Sequence, residues 1–523
     1  MAALSACLSC GGEGDPTGPG AGRDTPYREQ HRPQFHFSPP AKWTNDPNGM
    51  FYYEGEYHLF YQHYPEESVW GPMHWGHAVS RDLVHWENLP IALYPDSLGY
   101  IFSGSAVVDW NNTSGFGAEE QVPIVAMYTY HDDAAAKAGS TGFQSQALAY
   151  SLDKGRTWTK YEGNPVLPNP GGVRDIRDPK VIWDEARRQW VAALAVGDHA
   201  AFYGSPDLKR WRLLSEFGSD LGAHGGVWEC PDLFPMRVEA TGETKWVLII
   251  NINPGHPNGG SGTQYFVGNF DGREFRPDPD FMPWVADGKA VWLDYGKDNY
   301  AGVTWSDVPA GRRILLGWMS NWEYANQVPT EGWRNAMTIP RELTLRRTPQ
   351  GYRLHSVPVA ELSALALSTH AIPRPDSLTG GIPVVTSEGP VLLDITHTWN
   401  LGADRQGIVG LELSNPAGER YRMGYDLARN QFFSDRTQAG DSGFSASFAP
   451  VASLAPRSRT DSILTMRILV DAASAELFAD EGSVSMTEIF FPRTPFTAAR
   501  LFAEGASDVR LREANYRPLA SIW

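Results

Sequence analysis

The chain has 523 residues, 42% of them hydrophobic and 20% charged, so it is too long for one ordinary core and too apolar to be disordered. Its 61 Asp and Glu against 44 Lys and Arg give a formal net charge of -17, which disfavours phosphate backbones and anionic lipid and excludes nucleic acid as a natural partner. Aromatic residues reach 12%, a content that serves sheet cores and sugar stacking equally well.

Residues 1–34 read as a tether. Leu4-Ser5-Ala6-Cys7 resembles the lipobox of bacterial lipoproteins, and a Gly- and Pro-rich tract follows it. That pattern implies a lipid anchor at Cys7 and an extracellular or cell-surface protein. The basic and apolar regions of a signal peptide do not precede Cys7, so a trimmed leader and a chance match both stay open. Cys7 and Cys10 form a C-x-x-C without strand-helix context, which favours neither redox nor zinc chemistry. No run approaches the roughly 18 apolar residues of a membrane span.

From residue 35 to 347 the chain is a succession of short alternating runs bounded by turns. Residues 50–61 read as a hairpin, with aromatic, β-prone flanks around Glu54-Gly55-Glu56. Ser80-Arg81-Asp82-Leu83-Val84-His85-Trp86 recurs loosely around Ser151 to Trp158 and Ser205 to Trp211, and more weakly at Asn269 to Phe275, with Trp305-Ser306-Asp307 as a trace of a fifth copy in an earlier turn of its unit. Each copy reads as a turn capped by its Asp or Ser, its aromatic packed back on the sheet. Units of this length with about four strands each indicate propeller blades. The expected fold is all-β: a five-bladed β-propeller over residues 35–347, a linker over 348–360 and a β-sandwich over 361–523, where residues 463–482 read as a hairpin.

Three units open their first strand with a carboxylate near a proline: Asp46-Pro47, Asp178-Pro179 and Glu229-Cys230-Pro231. First strands line a propeller's channel, so Asp46, Asp178 and Glu229 should converge there, with Phe102-Ser103 and Asp298-Asn299-Tyr300 opening the other two units. One such acid alone caps a turn; three like charges around one axis raise each other's pKa, which fold stability does not require. Glycosidic cleavage uses that set as a nucleophile, an acid and a group holding the sugar. His58, His63, His74 and His77 are close in sequence, but His74 and His77 are spaced for opposite strand faces, so they read as core or sheet-edge residues and no metal is assigned. No phosphate loop or other cofactor signature stands in a suitable context, and no cofactor is expected.

At Trp43-Thr44-Asn45-Asp46-Pro47-Asn48-Gly49, Arg177-Asp178-Pro179 and Trp228-Glu229-Cys230-Pro231-Asp232 the sequence resembles glycoside hydrolase family 32, the retaining β-fructofuranosidases. The resemblance runs from about residue 35 to the C-terminus and is strongest toward levanases and exo-inulinases in the stretch from Gly317 to Leu343. It implies Asp46 as nucleophile, Glu229 as acid/base and Asp178 as the residue that holds the fructose hydroxyls, with Arg177 beside it and Cys230 next to the acid. It further implies that Asn45, Gln62, Trp70, Phe102, Ser103 and Trp333 bind the terminal fructosyl unit. The implied activity is exo-hydrolysis of levan, inulin or sucrose; a fructosyltransferase and a non-catalytic sugar-binding propeller are the alternatives. The family usually has Met where Thr44 stands, a departure that bears on which acceptor reaches the intermediate.

Overall fold

The computed structural model describes residues 27–118, 120–374 and 380–523; Cys7, Cys10 and the lipobox lie outside the described residues. Among the described residues no helix is long and apolar enough to cross a membrane. The periodicity of the sequence appears as seven sheets. Five are antiparallel blades whose innermost strands are Lys42–Tyr53, Tyr100–Val108, Ile176–Asp184, Val227–Arg237 and Tyr300–Thr304. Each packs beside the next, and the fifth returns to the first, which closes a five-bladed propeller. Closure is also backbone-bonded: Ser306 N donates to Met50 O at 2.9 Å and Tyr52 N to Ser306 O at 2.9 Å.

The repeated Ser-Asp turns join the third and fourth strands of blades I to III. Asp82 Oδ1 accepts from Val84 N at 3.0 Å and His85 N at 2.8 Å, and Asp207 Oδ1 repeats this with Lys209 N at 3.1 Å and Arg210 N at 2.9 Å. Both side chains replace the backbone partners that a tight turn loses. Leu83 and Leu208 follow at φ 65° and 64°. Trp158 and Trp211 close the motif by donating to Gly155 O and Leu208 O. In blade V the corresponding turn is at 348–351, between Arg341–Thr348 and Gly351–Pro358; Trp305-Ser306-Asp307 instead follows the inner strand.

That last hairpin corrects the expected linker. Residues 348–360 contain the outermost strand of blade V, in full register from Arg341 opposite Pro358 to Thr348 opposite Gly351. The catalytic motifs end before Arg347, and the outermost strand of a blade carries none, so nothing in the motifs marked that the blade continues. Residues 27–34, expected to belong to the tether, pack on the fold. Arg32 is buried, donating to Ser38 Oγ and to the carbonyls of Pro39 and Pro40, and Tyr27 stacks on Trp523 at 3.7 Å.

The sandwich is two six-stranded sheets. In Ile463–Asp471, Leu464, Met466 and Ile468 alternate inward, and they meet Leu393, Ile395 and Trp399 of the same sheet and Val409, Leu411 and Leu413 of the facing one. It is fused to the propeller through buried charge. Arg341 Nη1 donates to Asp294 Oδ2 at 2.8 Å and its Nη2 pairs with Glu476. His36 bridges Asp471 at 2.7 Å and Glu476 at 2.8 Å, and Arg436 of the sandwich pairs with Asp298 at 2.6 Å and Glu488 at 3.0 Å.

Candidate active site

The ladder of every inner strand slips at one level. Asn45 and Asp46 together stand opposite Gln62, and Phe102-Ser103, Asp178-Pro179, Cys230-Pro231 and Ala301-Gly302 are the two-residue bulges of the other blades. A bulge breaks the alternation of a strand, so consecutive side chains can both be aimed at the channel. Proline is tolerated there because a bulged residue owes the ladder no N–H. Asp178, Cys230 and Ala301 take φ values of 61°, 42° and 52°, a conformation that costs free energy in non-glycine residues and concentrates at functional positions.

The bulges bring Asp46, Asp178 and Glu229 to one cavity of about 340 Å³, within the size range of small-molecule sites. Asp46 is held at both oxygens: Ser103 Oγ donates to Oδ2 at 2.6 Å and Asn45 Nδ2 to Oδ1 at 3.0 Å. Asn45 is itself oriented by Trp43 Nε1, 2.7 Å from its Oδ1. Burial raises the Asp46 pKa and the Glu229 charge adds to it, while the Ser103 and Asn45 bonds pull the other way. Asp178 accepts from Cys230 N at 3.0 Å and lies 3.8 Å from Arg177 Nε. Burial pushes its carboxyl up to about 7, with Glu229 and Asp46 contributing and Arg177 opposing.

Glu229 is more accessible than Asp178, its side chain 20% exposed against 5%. Arg177 Nη2 donates to its Oε1 at 2.8 Å and the Tyr300 hydroxyl to its Oε2. Arg177 is steadied from behind by Asp175 at 2.6 Å. Cys230 Sγ sits 3.5 Å from Asp46 Oδ2 and 3.7 Å from Asp178 Oδ2. Burial and the three surrounding carboxylates keep its thiol protonated, its pKa well above the usual value.

Of the other residues picked from sequence, Asn45, Gln62, Trp70, Phe102, Ser103 and Arg177 line the cavity. Gln62 donates to Asn48 Oδ1 at 2.7 Å, Phe102 stacks on His131 at 4.2 Å, and the Trp70 ring meets Phe102 edge-on at 6.1 Å. Trp333 is not among them. It forms the short strand Trp333–Arg334, parallel to Lys42–Trp43, and its ring lies under the Arg32 guanidinium at 4.2 Å, against the N-terminal segment. The tryptophan of this region in the cavity wall, beside Trp70, is Trp322, set against Trp318 at 4.8 Å and Trp43 at 6.0 Å. Both tryptophans lie in one aromatic-rich stretch, and only the turn at 320–332 decides which faces the channel.

Asp298 also leaves the expected ring: it is fully buried and bound to Arg436 and to the Tyr324 hydroxyl at the sandwich junction. Tyr300, two residues on, is the blade V contribution. Its position before the bulge, matching Glu229 in blade IV, was the available signal. Thr44 is buried outside the cavity, its hydroxyl donating to Gln62 O at 3.1 Å and lying 3.4 Å from Asn45 O, so the departure at this position touches the site through Gln62 and Asn45. The four histidines are packed or backbone-bonded: His58 and His77 contact each other at 3.1 Å beneath Phe60, His63 bonds Trp43 O and His74 bonds Pro72 O.

Residues 36–358 match the glycosyl hydrolases family 32 N-terminal domain and residues 365–518 the family 32 C-terminal domain. The chain is 44% identical over 500 residues to a levanase of Bacillus subtilis (strain 168), covering 95% of this chain and 72% of the levanase. It is 36% identical over 528 residues to an invertase of Schizosaccharomyces pombe, covering 95% and 86%. The crystal structure of the exo-inulinase from Aspergillus awamori superposes with a TM-score of 0.86 at 37% identity, over 95% of this chain and all of that one. The propeller, its channel of carboxylates and the attached sandwich therefore make this chain a member of glycosyl hydrolases family 32.

Proposed function

We propose that the chain removes terminal fructosyl units from fructans and sucrose by double displacement. The observation that carries this is the gradient of depth in the cavity. Asp178 belongs to its floor and Glu229 is nearer solvent, with Asp46 facing the same cavity. A terminal sugar seated on the floor would offer hydroxyls to Asp178 and its anomeric carbon to Asp46, with the glycosidic oxygen at Glu229 and the rest of the chain pointing outward. Asp46, oriented by Ser103 and Asn45, attacks the anomeric carbon. Glu229 gives a proton to the leaving oxygen, and Asp46 becomes a glycosyl ester.

Ester formation removes the Asp46 charge that faces Glu229. That suits Glu229, now ionised and held by Arg177 and Tyr300, to take a proton from the water that hydrolyses the ester. Asp178, neutral or charged around neutrality given its pKa near 7, both donates to and accepts from sugar hydroxyls. Phe102, Trp70 and Trp322 supply flat apolar walls. The test is a product time course on levan: free fructose accumulates from the first minutes, whereas a ladder of oligosaccharides without fructose would contradict terminal cleavage.

The Aspergillus awamori relative is described as extracellular, and polymeric substrates of this class suit an enzyme outside the cell. Anchoring at Cys7 is proposed with it. Intact-mass measurement of the native protein should find a diacylglyceryl adduct on Cys7; an unmodified Cys7 would overturn anchoring alone.

A further inference from the structure

The five inner strands have a second end. There, at the mouth of the channel opposite the carboxylates, lies a larger cavity of about 450 Å³. Its wall carries Trp110, Trp183, Trp190 and Trp246. Trp110 is 58% exposed, the largest aromatic face given to solvent among the described residues. Between them stands Arg313, packed at 4.6 Å over the ring of Phe234. Its Nε is fully buried and has no hydrogen-bond partner among the described residues. The Asp232 and Asp307 charges and the Phe234 ring favour a cation at that place, but they leave this donor without an acceptor, which is unfavourable.

The polar groups around it select the ligand. Asp307 accepts from Trp110 Nε1 at 3.0 Å and Glu185 from Trp183 Nε1 at 2.5 Å; both carboxylates keep free acceptor capacity. Asp184 adds a third acid to the lining. Lys180 also lines the cavity, but its ammonium is paired with Asp232 at 3.3 Å, so an anion would meet three acids with Arg313 as the unpaired cation, and a purely apolar ligand would leave Arg313 unpaired. A neutral polyhydroxylated ligand satisfies donor and acceptors together while stacking its apolar face on indole rings.

We propose that this cavity is a second, non-catalytic saccharide site, which binds a neutral sugar chain through Trp110, Arg313 and Asp307 at the far end of the propeller from the cleavage site. The site would tether a polymeric substrate while its free ends are trimmed elsewhere. It stands apart from the catalytic reading, because none of its residues touches the three carboxylates.

The test is calorimetric titration with two probes, a fructan oligosaccharide and maltoheptaose. The fructan is titrated into the Asp46→Ala protein, where two classes of site are expected, and maltoheptaose into the unaltered enzyme. Trp110→Ala should weaken the second class at least about tenfold, leave the first class intact and leave sucrose turnover unchanged. Arg313→Met should do the same, and thermal melting of both variants reports folding. Loss of either probe at the Trp110-dependent site supports the proposal and says whether fructan or glucan fits it. A single class of site for the fructan with no maltoheptaose binding, or a second class indifferent to Trp110→Ala in a folded protein, would overturn it. Rapid fructan hydrolysis by Asp46→Ala would instead count against the catalytic assignment, and the maltoheptaose arm would still decide the second site.

Discussion

Replacing Ser103 by Ala removes the hydroxyl that donates to Asp46 Oδ2 at 2.6 Å. Ser103 is 4% exposed, so little water can take its place, and the lost volume is a single oxygen. A hydrogen bond to a charged group contributes about 1.5–3 kcal/mol, which corresponds to about one to two pH units at 1.36 kcal/mol per unit. The bond lowers the Asp46 pKa against the upward push of burial and of Glu229; without it, that pKa rises. Activity that needs ionised Asp46 must then lose its acid limb at higher pH. The profile of kcat/KM on sucrose should shift its acid limb alkaline by at least about one unit, with the plateau changed far less. Ser103→Thr, which keeps a hydroxyl, should restore the limb. A limb that stays in place in Ser103→Ala, with the melting temperature unchanged, would refute the claim that Asp46 is the group whose ionisation activity requires.

Trp322→Leu should raise KM for sucrose about tenfold, whereas Trp333→Phe should leave KM unchanged and lower Tm through its contact with Arg32; steady-state kinetics and calorimetry separate the two. The domain junction should set the pH window of stability. His36, between Asp471 and Glu476, has its pKa raised to about 9, so its contribution is complete below about 6.5 and lost as pH rises through about 9. Glu476 is held down to about 2, so its contribution is complete above about 4.5 and lost as pH falls through about 2. Tm should therefore be highest between these limits, and His36→Gln should abolish the alkaline decline, worth roughly 3 kcal/mol; a Tm profile identical to the parent above pH 7 would contradict this.

The blade turns were readable because their cause is local: Asp82 and Asp207 bond amides two and three residues away, and the same short motif recurs wherever that geometry does. The carboxylates were readable for a related reason, since the Pro after Asp46 and Asp178 marks the bulges that aim them. What sequence missed depends on contacts distant along the chain. Tyr300 was placed at the opening of the fifth unit, but its bond to Glu229 arises only where blade V closes beside blade IV. Trp322 and Trp333 are alike in sequence and separate only through the turn between them and the parallel pairing of Trp333–Arg334 with Lys42–Trp43. Asp298 looked like a channel residue by its position, but Arg436, 138 residues later, draws it to the junction.

In the proposed mechanism Asp46 carries the fructosyl group between two displacements. Glu229→Gln protein mixed with β-fructofuranosyl fluoride, whose leaving group needs no acid, should form the ester and hydrolyse it slowly, because the general base is gone. Acid quench, proteolysis and mass spectrometry should then find one fructosyl unit on the peptide that contains Asp46, and none when Asp46→Ala is added. Label on another residue, or rapid turnover by the double variant, would contradict the account.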